Sequence, residues 1–312
     1  MLTRRHIRVK VMQSLYAYSQ SENDNLNLEE KFLLKSMDEM YDLYLLMLDL
    51  FVEIKDHVED YLEKAQQKHL PSEEDVDPNR KFVNNELIAL LSDNEALRAA
   101  LETRKLNNWK NDDEYVEILW SEIRKSDIFR NYMSTRTSTF KEDKEFLISI
   151  FKEVIAPNEK LYDYLEDRKI TWIDDLPLVN TAIVKMLQKA APRKEQALTR
   201  LFKSNEDKEY GIQLFRKTLL NDDSLAAEME GKTPNWDKER IADLDTILIK
   251  MAICEFLKFP SIPVKVTINE YLEIAKEYST PKSSIFINGI LDKLSKEYRE
   301  NGKLNKMGRG LM

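Results

Sequence analysis

The sequence predicts an all-α fold, and three observations lead to this prediction. Apolar residues make up 42% and charged residues 33% of the 312 residues, so a core can form beneath a highly charged surface. Only 6 glycines and 9 prolines interrupt the chain, whereas sandwiches, barrels and glycine-dependent nucleotide folds need many tight turns. Apolar residues also recur at the three- and four-residue spacing of helices. We therefore expect long helices joined by short polar links.

The first two predicted helices run from Thr3 to Gln20 and from Leu28 to Lys68. Thr3 is a suitable N-cap for the first helix. Its core-facing stripe consists of Ile7, Val11, Leu15 and Tyr18. Arg4, Arg5 and Arg8 lie off this stripe and are expected on the solvent side. The second helix carries a broad apolar face between Leu34 and Ile54, which is typical of a bundle helix.

The middle of the chain begins with a polar loop at residues 69–79 and then repeats itself. The tetrads that start at Glu142 and Glu206 have the same sequence, and Trp172 and Trp236 are separated by the same interval. Residues 180–186 also mirror residues 245–251 with one residue of slip. Two interpretations stay open: a partial duplication, or coincidence between helices that bury similar faces.

The C-terminal part contains three further predicted helix signals. One helix is expected from Lys238 to Leu257. Thr267 and Glu270 have the spacing of a capping box at the start of the next, and Thr280 with Pro281 resembles an N-cap followed by proline at N1. Gly289 lies inside the last helix, where a close helix crossing would explain it. Residues 302–312 are expected to be a disordered, solubilising tail.

Enzyme and membrane classes are disfavoured. The three histidines are scattered, the glycines form no phosphate-binding loop, and no metal ligand set or cofactor motif is present. The single cysteine, Cys254, lies in an apolar helical stretch and is expected in the core. No run of residues is long and apolar enough for a membrane helix, and the N-terminus has no signal core. A cytoplasmic protein without catalytic residues is the expectation.

A basic arm at the N-terminus is the clearest local signal. The net charge is −8, yet residues 1–21 contain four Lys or Arg and no acid. These cations are Arg4, Arg5, Arg8 and Lys10, and they could neutralise phosphates, with Gln13 and Tyr16 further along the helix. The tyrosine offers a stacking face for an unpaired base. The alternative is a solvated helix face without a ligand.

The end of the chain contains a series of short sequence elements in a specific order and spacing. They are Asn235 to Ile241, Asp245 to Leu248, Glu255-Phe256, Ile262 to Val266, Ile268-Asn269-Glu270, Glu273 to Tyr278, Ser283 and Phe286 to Asp292. This series resembles the C-terminal half of the NusB family. The N-terminal arginines with Gln13 to Tyr16 resemble the arginine-rich first helix of the same family. Together these matches cover residues 1–20 and about 206–294.

The resemblance implies a fold of two packed three-helix bundles, here with an inserted helical region. It divides the chain into residues 1–69, an insertion at 70–205 and a C-terminal bundle with a basic tail at 206–312. It also implies a transcription antitermination factor that binds boxA-type single-stranded RNA with the ribosomal protein NusE. NusA, NusG and RNA polymerase complete that complex, and some members self-associate.

Site residues follow from the same resemblance. Arg4, Arg5, Arg8, Lys10, Gln13, Tyr16 and Phe286 are the predicted RNA contacts. Asp245, Lys265 and Ser283 are the predicted partner contacts. Structural roles compete for two of these residues, since Asp245 could be only a helix acid and Phe286 could simply pack.

Two other functions stay open. A helical protein-interaction scaffold in transcription or ribosome assembly would need little RNA binding. An RNA methyltransferase with a NusB-like appendage would need a glycine-rich catalytic domain, which the sequence does not show.

Overall fold

The computed structural model describes residues 1–21, 25–194, 196–232 and 242–311. The predicted all-α fold is confirmed: within these ranges the only β feature is an isolated bridge between Leu2 and Phe202. No helix in them combines the length and apolar character that a membrane crossing requires. The helices are α1 (Arg4–Gln20), α2 (Leu26–Gln66), α3 (Glu73–Val76), α4 (Glu86–Ser92), α5 (Glu95–Arg104), α6 (Asn108–Asn111), α7 (Asp113–Lys125), α8 (Asp127–Tyr132), α9 (Phe140–Ile150), α10 (Glu159–Arg168), α11 (Thr171–Lys189), α12 (Asn205–Leu220), α13 (Asp222–Met229), α14 (Asp243–Lys258), α15 (Val264–Tyr278) and α16 (Ser283–Glu300).

The chain forms two compact units. The terminal unit comprises residues 2–37 and 202–312, and the insert unit comprises Met1 and residues 38–201. The boundary between the units at 201/202 lies close to the predicted boundary at 205/206. Their boundary at 37/38 falls inside α2 and therefore differs from the predicted boundary at 69/70. A 41-residue helix contributes to both units, and its continuous periodicity hides the boundary from sequence inspection.

The terminal unit is built around α14. Its residues from Ile247 to Phe256 are all buried except Lys250, so this helix is covered on nearly every side. Helices α1, α12, α13, α15 and α16 contact it. The predicted stripe of α1 supplies part of this core, since Ile7, Val11 and Leu15 are buried. A helix that is apolar on most faces is expected at the centre of a bundle.

Two predicted helix starts are wrong. Helix α15 begins directly after Pro263, so Thr267 lies within the helix rather than at its cap. The Thr267 hydroxyl instead donates a hydrogen bond to Glu255. Helix α16 begins at Ser283, two residues after Pro281. The start predicted at Lys238 lies outside the described residues, and α14 begins at Asp243 within them.

Two predictions about glycine and the tail are also wrong. Gly289 is exposed, and a Cβ there would meet nothing within 4 Å, so no close helix crossing explains it. Residues 302–311 are not a free tail, because they lie against the end of α14. A short 3₁₀ turn, Gly308–Leu311, closes the described part of this segment.

The insert unit is held by aromatic side chains packed on α2. The indole of Trp109 donates a 2.8 Å hydrogen bond to the Leu46 carbonyl, and that of Trp172 donates one of 2.8 Å to the Glu39 carbonyl. Both indoles are almost fully buried. Buried tryptophans contribute large apolar areas and satisfy their N–H in this way.

The repeat is visible in the burial of equivalent residues. Asp143 and Asp207, which share a position in the two tetrads, are both buried near a helix start. Phe151 and Phe215 follow at the same interval, and both are fully buried. A duplication predicts this agreement, and duplication remains a hypothesis. Trp236, the partner of Trp172 in the repeat, lies outside the described residues.

Candidate nucleic-acid interface

The four N-terminal cations do not share one environment. The side chains of Arg4 and Arg5 are 42% and 41% exposed, so they lie on the solvent side as predicted. Arg8 is only 2% exposed, so its predicted solvent position is wrong, and Lys10, a predicted RNA contact, is only 3% exposed. Helices α12, α14 and α15 all contact α1 and cover more of it than its apolar stripe, which buries Arg8 beside that stripe. Direct phosphate contact through Arg8 and Lys10 is therefore not part of the interface.

Arg8 is instead the partner of a buried carboxylate. Its Nε and Nη2 donate hydrogen bonds of 2.6 and 2.9 Å to the two oxygens of Glu255, which is fully buried in α14. The same carboxylate accepts from the hydroxyls of Thr267 at 2.9 Å, of Tyr271 at 3.1 Å and of Tyr210. Burial raises the pKa of both tyrosines well above the usual value, so they remain donors.

This cluster joins four helices through the carboxylate of Glu255. Arg8 comes from α1, Tyr210 from α12, Glu255 from α14, and Tyr271 from α15. The Arg8 guanidinium also lies 5.4 and 5.6 Å from the ring centres of the two tyrosines. A buried charge is tolerated only when it is paired and its hydrogen-bonding groups are satisfied. The cluster meets both conditions and fixes the position of α1.

The exposed arginines are each paired with one carboxylate. Arg5 donates from Nε at 2.9 Å and from Nη2 at 3.0 Å to Glu270, a residue predicted as a helix cap. Its hydrogen bonds lower the pKa of Glu270. Arg4 donates from Nε to Asp207 at 2.9 Å. A guanidinium has five N–H groups, so N–H groups remain for a ligand on Arg4 and on Arg5.

These side chains border a groove of about 640 Å³. One wall is the first turn of α1, and the other is the link from α14 to α15 together with the start of α15. Its lining residues are Thr3, Arg4, Arg5, His6, Arg8, Ser261, Ile262, Pro263, Val266, Glu270 and Arg309. Burial and the charge of Arg5 lower the pKa of His6, which keeps this imidazole neutral at pH 7. Arginine therefore supplies the positive charge of the groove, whose floor is largely apolar.

Tyr16 and Gln13 extend the interface along α1. Tyr16 is 42% exposed, and its eleven-residue separation from Arg5 is close to three helical turns, or about 16 Å. The two side chains therefore lie on nearly the same side of α1, so a strand of RNA could contact both. Gln13 is half-buried.

The predicted partner residues separate into buried and exposed ones. Asp245 is 5% exposed and accepts hydrogen bonds of 2.6 Å from the hydroxyls of both Ser279 and Ser283. Ser283 is 2% exposed. This cluster fixes the first turn of α16, which is a structural role. Lys265, the third predicted partner contact, is exposed on the first turn of α15. Phe286, a predicted RNA contact in α16, is only 8% exposed.

The only cysteine has the predicted core position. Cys254 is fully buried, and burial raises the pKa of its thiol to about 11, which suppresses its reactivity. In the described parts of the chain, no group of His, Cys, Asp or Glu side chains is arranged to hold a metal ion.

Comparison with known proteins identifies the family. The NusB family model matches residues 173–296. A transcription antitermination protein NusB from Salinibacter ruber is 42% identical over 123 residues, which is 38% of this chain and 77% of that protein. The chain belongs to the NusB family. Further NusB relatives from Chloroherpeton thalassium and Clostridium kluyveri are each 40% identical, over 34% and 30% of this chain and 50% and 60% of their own length. No solved structure gives a significant match.

The family match begins at a lower residue number than the C-terminal part of the resemblance predicted from the sequence, which starts near residue 206. It starts at Ile173 in α11, so the last part of the predicted insertion at 70–205 belongs to the NusB-like region. Its end at residue 296 agrees with the predicted end near 294. Residues 1–20 lie outside the match, so the likeness of α1 to the family's first helix stays a prediction.

Sequence inspection missed the acids that organise the interface. The sequence does contain a signal for a buried ion pair at Glu255. This residue is the one acid in the apolar run from Ile247 to Phe256, and a charge is buried in such a run only when it is paired. Asp207 was noticed as a repeat residue, but its pairing with Arg4 spans 203 positions and could not be deduced. Arg309 was assigned to a free tail, although it lines the groove.

Proposed function

We propose that this chain is a transcription antitermination factor that binds boxA-type single-stranded RNA together with NusE and supports processive transcription of ribosomal RNA. Its relatives are transcription antitermination proteins, which supports the antitermination role. NusA, NusG and RNA polymerase are the further proposed partners. The observation that carries RNA binding is the groove between α1 and α15, with Arg4 and Arg5 on its border.

The groove supports RNA binding through the donors that its arginines keep. In the described hydrogen bonds Arg4 uses only its Nε, and Arg5 uses Nε and Nη2. The remaining N–H groups can bind phosphate oxygens while each ion pair holds its guanidinium in place. Tyr16 adds an exposed ring on nearly the same side of α1 for stacking on an unpaired base.

The scaffold function is favoured by one specific observation. Each of the three N-terminal arginines is matched by a carboxylate: Asp207, Glu270 or Glu255. The positive field of α1 is therefore smaller than its sequence indicates. Under this alternative the exposed Lys265 and the insert unit would bind protein partners, and RNA contact would be weak.

A salt titration of binding to a boxA-like RNA oligonucleotide distinguishes the two functions. We expect tight, salt-sensitive binding that NusE strengthens. Replacing both Arg4 and Arg5 with Gln should reduce the slope of log K against log salt by about 1.4, since each phosphate contact to a single strand contributes about 0.7.

The matched control is Arg216→Gln. Arg216 is 44% exposed and paired with Glu30, so it resembles Arg4 in exposure and pairing, but it does not line the groove. Its replacement should leave the slope unchanged. Capture of NusE without RNA binding would support the scaffold function, and an unchanged slope in the double variant would contradict the assigned contacts.

A further inference from the structure

The C-terminal segment, residues 301–311, is anchored on the end of α14. Lys306 donates hydrogen bonds from Nζ to the backbone carbonyls of Glu255 at 3.1 Å and Phe259 at 3.0 Å. A cation at this position also interacts favourably with the negative end of the helix dipole. The Met307 amide donates to the Pro260 carbonyl at 3.0 Å. Three hydrogen bonds thus attach the segment to the same short stretch of chain.

Glycine is required where the segment touches the link after α14. A Cβ on Gly310 would lie 1.9 Å from the Pro260 carbonyl oxygen, a distance no side chain can adopt. Gly308 has a φ of +55°, in the left-handed region that glycine adopts without strain. Gly310 is buried, while Arg309 beside it is exposed at the groove. The close approach of Gly310 to Pro260 therefore fixes the position of Arg309 at the groove.

Arg309 changes the charge balance of the groove. The other three arginines that line it pair with three carboxylates: Arg4 with Asp207, Arg5 with Glu270, and Arg8 with Glu255 and, at 3.7 Å, also with Glu270. Among the described residues no carboxylate forms an ion pair with Arg309, and residues 301–311 contain no acid. Four guanidinium groups thus face three carboxylates, and Arg309 supplies the excess positive charge.

We propose that the docked C-terminal segment is part of the RNA-binding groove and that Arg309 contacts a phosphate of single-stranded RNA. This inference rests on the proposed RNA-binding function and deepens it. Arg4 and Arg5 bind phosphates from the α1 side, and Arg309 binds one from the opposite side. Within the described ranges no carboxylate pairs with Arg309, so a phosphate that binds it does not have to break an ion pair with any of those residues.

The first test compares two charge removals within the segment. Arg309→Ala is expected to lower the salt slope of RNA binding by about 0.7, and to weaken binding about fivefold at 0.1 M salt. The matched control is Lys303→Ala, since Lys303 is paired with Glu228 at 2.8 Å and does not line the groove. It should leave both quantities unchanged.

A second variant tests docking at constant charge. In Gly310→Val the new Cβ would lie 1.9 Å from the Pro260 carbonyl oxygen, so the segment must leave its place while all cations remain in the chain. We expect it to weaken RNA binding as much as Arg309→Ala does. Circular dichroism and thermal unfolding of each variant show whether the rest of the fold is intact.

The outcomes separate this inference from the proposed function. If the wild-type chain shows no salt-dependent RNA binding, both are overturned. If the wild type binds and depends on Arg4 and Arg5, but Arg309→Ala has an unchanged slope, only the role of Arg309 is overturned. If Arg309→Ala weakens binding and Gly310→Val does not, docking of the segment is not what places Arg309.

Discussion

The buried pair of Arg8 and Glu255 gives the most precise prediction about stability. In the wild type the carboxylate receives two hydrogen bonds from Arg8, at 2.6 and 2.9 Å, and both side chains are at most 2% exposed. Replacing Arg8 with Met leaves the Glu255 carboxylate buried without its counter-ion, and replacing Glu255 with Gln leaves the buried Arg8 with only a 3.7 Å ion pair to Glu270. Losing one partner of a buried pair costs about 3–5 kcal/mol of the free energy of unfolding.

The double variant should recover much of this cost. With both charges removed, no uncompensated ion remains, and the amide oxygen of Gln can still accept from Tyr210 and Tyr271 while its NH2 group donates to the Thr267 hydroxyl. We expect the double variant to be at least about 2 kcal/mol more stable than the sum of the single effects predicts, which is the coupling that a contacting pair shows.

The only cysteine of the chain provides the assay. Cys254 is fully buried next to Glu255, so a thiol reagent labels it only when the terminal unit opens. A loss of 3–5 kcal/mol should raise the labelling rate about 10² to 10⁴-fold, at 1.4 kcal/mol per factor of ten. Single variants that lose less than about 1 kcal/mol, or additive effects in the double variant, would refute the reasoning.

The same pair predicts a separation of stability from RNA binding. Because the Arg8 side chain is only 2% exposed and is paired with Glu255, Arg8→Met should leave the salt slope of RNA binding unchanged in protein that is still folded. A slope lower by about 0.7 would restore Arg8 as a phosphate contact.

Two further predictions concern glycines and a buried acid. A Cβ at Gly211 would lie 2.8 Å from Ile7 Cγ2, so Gly211→Ala should destabilise the terminal unit by about 1–3 kcal/mol. Gly289 lies in open space within a helix, so Gly289→Ala should stabilise the unit by about 0.5–1 kcal/mol. Urea unfolding measures both effects, and effects of equal sign would contradict the packing argument. Burial raises the pKa of Asp49 to about 7, so its stabilising protonated form is lost as the pH rises from about 4 to 7, and Asp49→Asn should gain about 4 kcal/mol at pH 8 and almost nothing at pH 4. Thermal unfolding at both pH values checks this, and a gain independent of pH would point to another cause.

The helical elements could be predicted because their signals are local. The apolar stripe of α1 and the scarcity of glycine follow from short-range periodicity, and the structure agrees with both. The start of α15 was misplaced because Thr267 and Glu270 have a capping-box spacing but serve partners outside their helix. A polar side chain with a tertiary partner cannot be distinguished from a local cap by spacing alone.

The candidate site could be predicted only in part because charge pairing is tertiary. The sequence shows four cations near the N-terminus, but whether each faces solvent depends on what covers α1. Arg8 pairs with a residue 247 positions away, and Arg5 with one 265 positions away. The segment that carries Arg309 has a composition typical of a disordered tail, although contacts with Pro260 and the end of α14 order it.

The discontinuous terminal unit also constrains how the chain acquires its structure during synthesis. Residues 38–201 form a compact unit without any later residue, so the insert unit can fold while translation continues. Helix α1 must wait, because Glu255, the counter-ion of Arg8, is made 247 positions later. Closing so long a loop is slow, which makes this step the expected rate limit in assembly of the unit. Until then the apolar stripe of α1 has no core to enter, so the nascent chain is expected to need protection from aggregation at its N-terminal end. Pulse labelling of ribosome-bound chains by hydrogen exchange would show α1 unprotected until α14 has emerged.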